Sequence, residues 1–561
     1  MADSKEHETV HAVAEQDVIQ SASAGGVLVA EGSGKTAELD GATTKTVHNA
    51  ELFAALQESP IERWSSSSIK LYYYIFVAFC CSCANGYDGS LLGSILAMPH
   101  FQDVFHVGAS GQQVSIITSL YSVGSIVTTP VAALVSDRFG RRIGMTTGAL
   151  AIIIGAVIAA SSHAKAQLIV GRFILGCGIQ YMTVAAPAYS IEISPPHWRG
   201  RATGFYNCGW FGGSIPAALI TYGCQYINST WSWRLPLILQ CFTCLIVLGS
   251  VYFIPESPRH LMSKGRFDEA VAFLTKYHGN GNPNSRLVLL EIEEIKENLR
   301  QEEIDKASAW WDYRPFFTHV GRWRGAQAIM MGIFGQFAGN GLGYFNVAIY
   351  ELIGITSSSQ QLGYQILYSV LGAIGALTAV SLTDRMPRRP VLIYGTAVIT
   401  VILAINAGLT NAIAINQAAN NGVITNIGYA RGALAFYFLF QVFYSFAYTP
   451  LQGVLPAEAL STPLRAKGLA LYGFMTGLFG FINQYAGPIA LANIQYKYIY
   501  IFVGWDVIVT LLWYLFLVES QGRTLEEMDW VYEQPNPVKA SLKVDKVILQ
   551  ADGTVTEKIV A

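Results

Sequence analysis

The chain has 561 residues, of which 52% are hydrophobic and only 13% are charged. A soluble protein carries about 25% charged residues, so much of this chain is expected to lie in lipid. The 36 basic and 38 acidic side chains give a net charge of −2, which excludes a basic surface for nucleic acid. The eight cysteines lie mostly in apolar stretches without metal-ligand spacing, and a disulfide-rich secreted scaffold is excluded.

Twelve largely apolar stretches follow a polar N-terminal segment, residues 1–68. This segment lacks the features of a signal peptide and is predicted to be a disordered cytoplasmic tail. Each stretch has about the 20 residues that a helix needs to cross a bilayer. The predicted spans are 71–96, 112–135, 144–161, 166–190, 202–223, 234–254, 326–351, 361–382, 390–410, 430–455, 469–492 and 499–518.

Basic residues in the short loops predict the orientation of these spans. Three arginines lie within residues 136–142, whereas the preceding loop, 97–111, contains no lysine or arginine. Arg199 follows the fourth span. Because cytoplasmic loops are enriched in basic residues, both termini are expected inside, and the plasma membrane is the expected location. Asn228 then lies in an outside loop, where it begins a possible glycosylation sequence.

The middle of the chain, residues 255–324, is one long polar insertion. Phe267–Tyr277 and Leu287–Leu299 have helical periodicity, which predicts short cytoplasmic helices over the membrane domain. The expected organisation is an N-terminal tail over 1–68, a six-helix bundle over 69–254, a helical linker over 255–324, a second six-helix bundle over 325–518 and a cytoplasmic tail over 519–561.

Three motifs of the first half recur in the same order in the second half, which indicates duplication and fusion. The pairs are Ser136–Arg142 with Thr383–Arg389, Glu192 and Arg199 with Glu458 and Arg465, and Pro255–Arg259 with Val518–Arg523. The two bundles are therefore expected to be related by pseudo-symmetry.

At the level of motifs the chain resembles the sugar porter family of the major facilitator superfamily, over about 70–530. The resemblance rests on Asp137–Arg142, Arg172 with Gly176 and Gly178, Glu192 with Arg199, Pro255–Arg259, Gln336 with Gly339, and Glu519–Arg523. It implies an all-α membrane protein with twelve transmembrane helices in two six-helix bundles and a substrate site between them. It implies a transporter that functions as a monomer in the lipid bilayer, without a cofactor or metal. No motif typical of an enzyme occurs.

The resemblance also assigns the charged cytoplasmic motifs to an intracellular gate. Carboxylates beside arginine-rich helix ends can pair and hold the halves together while the cavity faces outward. The alternative is that these charges only set topology and anchor the helices. The gate residues are Asp137, Arg138, Arg141, Arg142, Glu192, Arg199, Glu256, Arg259, Asp384, Arg385, Arg388, Glu458, Arg465, Glu519 and Arg523.

Asp88 is the only acid of the first span, and Arg172 is the only strong base well inside the fourth. A charge at the bilayer centre costs about 2.5–3.5 kcal/mol or more, so each needs a partner or a function. At 1.5 Å per residue, Asp88 lies roughly 13 Å and Arg172 roughly 10 Å from the outer face, so the side chains can meet. By resemblance Asp88 is the proton acceptor and Arg172 modulates it. A static salt bridge is the alternative.

The sugar site requires polar groups for hydroxyls and aromatic rings for the C–H faces. Resemblance and polarity select residues of the fifth, seventh and tenth spans, although a polar residue in a span can also join helices. The candidates are Gln336, Asn340, Asn346, Tyr344, Asn207 and Gln452.

Two glycines depart from the hexose porter pattern. Gly335 replaces a glutamine, and Gly453 stands where many hexose porters have tryptophan. Both changes are expected to open volume for a ligand larger than one hexose. The sequences Gly339–Gly341 and Asn207–Ser214 resemble the fungal lactose permease and cellodextrin transporter branch. The sequence therefore predicts a proton-coupled symporter that imports a disaccharide of the lactose or cellobiose type. The alternatives are a facilitative or proton-coupled monosaccharide porter and a non-transporting sugar sensor.

Overall fold

The computed structural model describes residues 64–307, 313–382, 386–420, 426–521, 525–542, 545–549 and 555–560. The predicted tail over 1–68 therefore falls almost entirely outside the described residues. The described chain is all-α apart from a short C-terminal hairpin.

The first half consists of eight helices, with a single 3₁₀ turn at Pro196–Trp198. They are α1 (Ser66–Ile95), α2 (Pro99–Phe105), α3 (Gln112–Phe139), α4 (Arg141–Ala160), α5 (Lys165–Ile193), α6 (Arg199–Cys224), α7 (Trp231–Leu239) and α8 (Cys241–Val251). α7 and α8 together make the sixth span.

Three linker helices follow, and then the helices of the second half. The linker contains α9 (Pro258–Ser263), α10 (Phe267–Tyr277) and α11 (Arg286–Ala307), and a 3₁₀ turn at Arg314–Phe317 precedes the next span. The second half contains α12 (His319–Phe337), α13 (Asn340–Gly343), α14 (Asn346–Leu352), α15 (Ser358–Leu382), α16 (Arg388–Ala419), α17 (Ile427–Ala447), α18 (Leu451–Ala459), α19 (Thr462–Ile494) and α20 (Lys497–Phe516). The chain ends with α21 (Leu525–Glu533), α22 (Pro537–Ser541) and the antiparallel strands β1 (Asp545–Leu549) and β2 (Val555–Val560).

Nine of the predicted spans are long and apolar enough, within the described residues, to cross a membrane. The other three correspond to α6, the broken series α12–α14, and α19. These segments are rich in glycine, which lowers their hydropathy but lets helices approach closely. The arrangement is the twelve-helix fold that the sequence predicts.

Close backbone contacts fix the helices of the first half. A Cβ atom placed on Gly213 would lie 1.9 Å from the Cys83 carbonyl oxygen, and one placed on Gly176 would lie 2.0 Å from that of Tyr121. No side chain fits at either position. Glycine therefore allows α1 to pack against α6, and α3 against α5. These contacts position α1 and α5, which carry Asp88 and Arg172.

The linker packs on the predicted cytoplasmic end of the first half. The Tyr277 hydroxyl lies 3.0 Å from that of Tyr74 in α1. His278 lies 3.1 Å from the Ile193 carbonyl oxygen and 2.6 Å from Glu291 of α11. Because these groups are buried, the linker and the first half form one packed unit.

The C-terminal segment predicted as a tail contains two docked helices. Met528, Val531 and Tyr532 of α21 share one helical face and are buried with α12 residues such as Trp323. Arg324 of α12 forms an ion pair with Asp529. The spacing of the three apolar residues explains why this segment packs against the bundle.

Candidate transport site

Asp88 and Arg172 form a buried ion pair between α1 and α5. Nη1 of Arg172 donates to both carboxylate oxygens of Asp88, at 2.8 and 3.0 Å. The side chains are only 1% and 5% exposed, respectively. The sequence-based depths predicted that these two side chains can meet, and they are in contact in the structure. Their part in proton transport stays a prediction.

Tyr121 of α3 completes this site and was not identified from the sequence. Its ring centroid lies 4.8 Å from the Arg172 guanidinium carbon, a cation–π distance. Its hydroxyl donates to Oδ1 of Asn85 at 3.2 Å. Asn85 lies one helical turn before Asp88, on the same face of α1. This pair of polar residues in the sequence could have indicated that a polar partner such as Tyr121 lies opposite them.

The seventh span is broken at the predicted sugar motif. α12 ends at Phe337, and Gly339 has φ +87°, a left-handed conformation that favours glycine. A Cβ atom there would also lie 2.7 Å from the Phe440 ring. The main chain resumes its span only at Asn346, where α14 begins. Discontinuous helices of this kind form substrate sites in many transporters.

Amide groups converge at the break. The Gln336 side-chain oxygen accepts hydrogen bonds from Nδ2 of Asn340 and from the Tyr344 hydroxyl, both at 3.3 Å. Nδ2 of Asn483 in α19 donates to the Gln336 carbonyl oxygen at 2.7 Å. Tyr344 also interacts with the Gln484 side chain. The sequence did not identify Asn483 or Gln484, although both are polar residues in an apolar span.

Asn346 has a different environment from the other candidates. It is 2% exposed, and its Nδ2 donates to Oε1 of Gln365 at 2.7 Å. Its oxygen accepts a hydrogen bond from the Tyr437 hydroxyl. Both ends of the amide are therefore occupied, and Asn346 joins α14 to α15 and α17.

Gln452 fills the space beside Gly335. Its Nε2 donates to the Tyr444 hydroxyl at 3.1 Å and would lie 3.0 Å from a Cβ atom at position 335. The expected opening of volume at Gly335 is therefore wrong, because another glutamine occupies that position from α18. At Gly453, a Cβ atom would lie 3.1 Å from Nδ2 of Asn207, which is the one described atom found within 4 Å of it.

Asn207 faces the second half from α6. Its Nδ2 is buried and has no hydrogen-bond partner among the described residues. A buried donor without a partner is costly, so Asn207 is suited to donate to a ligand hydroxyl between the halves.

The ion pair and the broken helix are adjacent. Gly93 of α1 approaches the Tyr344 carbonyl oxygen, which would lie 3.1 Å from a Cβ atom at that position. Tyr121 interacts electrostatically with both Asp88 and Tyr344. Asp88 is thus connected to the amide cluster through Tyr121 and Tyr344.

The first cluster at the end predicted to be cytoplasmic surrounds Arg141. This arginine pairs with Asp137 at 2.8 Å and with Glu192 at 2.9 Å. Glu256 accepts hydrogen bonds from the backbone N–H groups of Arg141 and Arg142, at 3.0 and 3.4 Å. These contacts lie within the first half and the start of the linker, and none of them reaches the second half.

The second half repeats this geometry. Arg388 pairs with Glu458 at 2.9 Å, and Glu519 accepts from the backbone N–H groups of Arg388 and Arg389, both at 3.0 Å. Ser520 donates to Glu458 at 2.6 Å, as Ser257 does to Glu192 at 2.5 Å in the first half. The two Arg–Glu pairs stabilise each half separately in this conformation, and pairing between the halves stays a prediction.

The remaining gate residues have varied positions. Arg138 lies over the Phe139 ring, Arg199 pairs with Glu294 of the linker at 3.1 Å, and Arg259 lies in α9. Asp384, Arg385 and Arg523 fall outside the described residues, as does the side chain of Arg465.

The halves are joined at the end predicted to face outside. The Gly111 N–H donates to the Pro488 carbonyl oxygen at 3.0 Å, and the Thr118 hydroxyl donates to that of Gln484 at 3.0 Å. The Ser115 hydroxyl donates to the Tyr485 carbonyl oxygen. α3 and α19 therefore close this end.

Two further features lie near the same end. A cavity of about 280 Å³ is lined by residues such as Glu351, Thr410 and Gln495, away from the amide cluster, and is not the candidate sugar site. Asn228 is exposed in the loop between α6 and α7.

Comparison with known proteins identifies the family. The model of the family described as "Sugar (and other) transporter" matches residues 74–532, and the chain belongs to this family of major facilitator sugar porters. The protein is a multi-pass membrane transporter and not an enzyme.

Relatives and solved structures agree with this assignment. The "High-affinity glucose transporter" of Kluyveromyces lactis is 30% identical, with 83% of this chain and 86% of the relative covered. The "High-affinity glucose transporter 1" of Candida albicans is 28% identical, with 83% and 87% covered. The fold is similar to that of the proton:xylose symporter XylE from E. coli, with a TM-score of 0.66 at 21% identity, over 83% of this chain and 100% of XylE.

Proposed function

We propose that this protein is a proton-coupled symporter that imports a sugar by alternating access. The observation that carries the proposal is the buried Asp88–Arg172 pair beside the broken seventh span. A carboxylate that pairs with an arginine in one conformation and loses it in another binds and releases a proton as the protein changes shape. Asp88 is the proton acceptor, and its pairing with Arg172 favours the ionised form.

The same proposal assigns a location to the chain. The basic residues of alternate loops favour cytoplasmic termini. The plasma membrane and a monomeric transporter are proposed on the family resemblance. The Arg141 and Arg388 clusters would then face the cytoplasm, where the gate residues separate and rejoin during transport.

The sugar binds between Asn207 on one side and Gln336, Asn340 and Tyr344 on the other. Asn207 offers an unpartnered donor. The other three residues are polar groups at the helix break and are already linked to one another. Gln452 supports the site by fixing the backbone at Gly335, and Asn346 supports it by fixing α14.

A disaccharide of the lactose or cellobiose type is our proposed substrate. The open position beside Gly453 supports it, since a larger side chain there would meet Asn207. Gly335 gives no further support, because Gln452 occupies that space. A monosaccharide is the second candidate, favoured by the relatives named as glucose transporters.

Reconstituted protein tests the coupling. Asp88→Asn should abolish accumulation driven by a pH gradient while sugar exchange at equal concentrations continues. The control is Asp103→Asn, a change to an exposed carboxylate outside the site. Accumulation that survives Asp88→Asn would exclude the proposed acceptor. Accumulation in the wild type that ignores an uncoupler would indicate a facilitator, and binding without flux would indicate a sensor.

Competition of labelled-sugar uptake by a panel of mono- and disaccharides tests the substrate. Gly453→Trp should weaken competition by disaccharides more than by hexoses, because tryptophan fills the space facing Asn207. If only hexoses compete in the wild type, the disaccharide assignment is wrong and the monosaccharide candidate takes its place.

A further inference from the structure

Asp506 is a second acid inside the membrane domain, in the twelfth span. It lies near the middle of α20, nine residues after Lys497, and is 0% exposed. Both carboxylate oxygens are buried and have no hydrogen-bond partner among the described residues. The motifs of the sequence gave no reason to select it. Unlike Asp88, it has no arginine beside it.

The described side chains of the helices around Asp506 bring no compensating charge to it. α20 packs against α12, α16 and α19, and the Asp506 side chain is buried within the membrane domain. The charged and titratable side chains on these four helices are His319, Arg322, Arg324, Arg388, Arg389, Tyr394, Arg465, Lys467, Tyr472, Tyr485, Lys497, Tyr498, Tyr500 and Tyr514. Among the described residues, the titratable group found to interact with Asp506 is the Tyr448 hydroxyl, at the end of α17.

An ionised carboxylate in this position would be strongly unfavourable. Burying an unpaired charge costs several kcal/mol, and such a group neutralises instead. The Tyr448 hydroxyl gives no relief, since it is already engaged by Thr396 at 2.7 Å and by the Trp513 indole at 3.2 Å. Asp506 is therefore neutral and protonated in this conformation.

Asp506 is linked to the candidate sugar site through aromatic side chains. The Tyr448 ring stacks on Tyr444 with centroids 5.3 Å apart. The Tyr444 hydroxyl donates to the Gly335 carbonyl oxygen at 2.5 Å, one residue before Gln336. On the other side, Phe334 packs against Trp505, the neighbour of Asp506. A rearrangement at the helix break thus changes the packing of the aromatic residues next to Asp506.

α19, one of the helices packed around Asp506, also takes part in the contacts at the end predicted to face outside. α19 packs on α20 and forms the hydrogen bonds to α3 that close the outer end. Opening that end moves α19, and this movement can admit water to Asp506.

We propose that Asp506 is a second proton-binding site, which carries a proton in this conformation and exchanges it with water during the transport cycle. The proposal rests on the proposed proton-coupled transport and extends it to two protons per sugar. Asp88 serves the first half, and Asp506 serves the second.

The steady accumulation ratio in proteoliposomes tests this stoichiometry. With the membrane potential clamped at zero and a pH gradient of one unit, one proton per sugar supports about tenfold accumulation and two support about a hundredfold. The wild type and the control Asp103→Asn should reach about a hundredfold. Asp506→Asn, which mimics the protonated acid, should reach about tenfold, and Asp88→Asn should fall at least about tenfold below the wild type.

The wild-type ratio decides the question even if a variant fails to fold. A wild-type ratio near tenfold would overturn the second site and leave the proposed symport intact. A hundredfold ratio that persists in Asp506→Asn would also overturn it. No accumulation in the wild type would overturn the symport itself and this site with it.

Discussion

Gly176→Ala probes the packing that places Tyr121 against Arg172. The new Cβ atom would lie 2.0 Å from the Tyr121 carbonyl oxygen, whereas ordinary contacts begin at 3.4 Å. α3 and α5 must therefore separate by roughly 1 Å or more. Overpacking of this kind costs about 1–3 kcal/mol, against about 1 kcal/mol gained from the helix propensity of alanine. The Tyr121 ring moves with its backbone and weakens a cation–π contact worth up to about 2 kcal/mol.

Thermal unfolding in detergent and proton-driven uptake measure the two effects. Gly249→Ala is the matched control, because its Cβ atom meets nothing within 4 Å and should be neutral or stabilising. We expect Gly176→Ala to unfold at a lower temperature than the control and to accumulate less sugar. If the two variants unfold and transport alike, the close approach at Gly176 does not position Tyr121 and the reasoning is refuted.

Three further predictions concern individual side chains. Asn346→Ala should lower stability by about 2–4 kcal/mol, since it leaves two buried hydrogen-bond partners unsatisfied, and should leave the sugar KM of the folded fraction unchanged, whereas Gln336→Ala should raise it. Tyr121→Leu should impair proton-driven uptake more than Tyr121→Phe, because phenylalanine keeps the ring that faces Arg172. Burial lowers the pKa of His260 below its ordinary value of 6.5, so His260→Gln should remove part of the loss of stability that occurs as pH falls below 6.5.

Each of these predictions has an opposing result. Asn346 would have a direct role in binding if its variant raised the KM without changing thermal stability, with exposed Asn493→Ala as the control. Equal proton-driven uptake by the two Tyr121 variants would show that the cation–π contact has no role in that uptake. A stability–pH profile unchanged by His260→Gln would show that protonation of this imidazole does not destabilise the folded protein as pH falls below 6.5.

The fold could be predicted because lipid imposes a simple requirement on the chain. Spans need about 20 apolar residues, and the duplicated motifs mark equivalent helix ends. Asp88 and Arg172 could be paired because both lie in segments of known direction, where 1.5 Å per residue converts sequence into depth. Because so few charged residues lie within the spans, two that share the same depth in the membrane are expected to pair.

Other parts of the site depend on helix rotation, which the sequence did not determine. The space at Gly335 was expected to be open, but Gln452 occupies it from another helix. Asn346 was grouped with the sugar ligands because it is polar, but its amide faces α15 and α17. Asp506 lacks a motif, and its isolation is visible only once the surrounding helices are in place.

The contacts at the end predicted to face outside contribute to the energy of the proposed transport cycle. The Arg141–Glu192 and Arg388–Glu458 pairs lie inside their own halves, so separating the halves at the outer end leaves both pairs intact. The hydrogen bonds between α3 and α19 are then among the few specific links to be broken, at about 1 kcal/mol each. A sugar bound with millimolar affinity supplies about 4 kcal/mol. A substrate shifts the protein between two conformations only by the difference in its affinity for them, so about 4 kcal/mol is the upper limit of what a sugar of this affinity contributes.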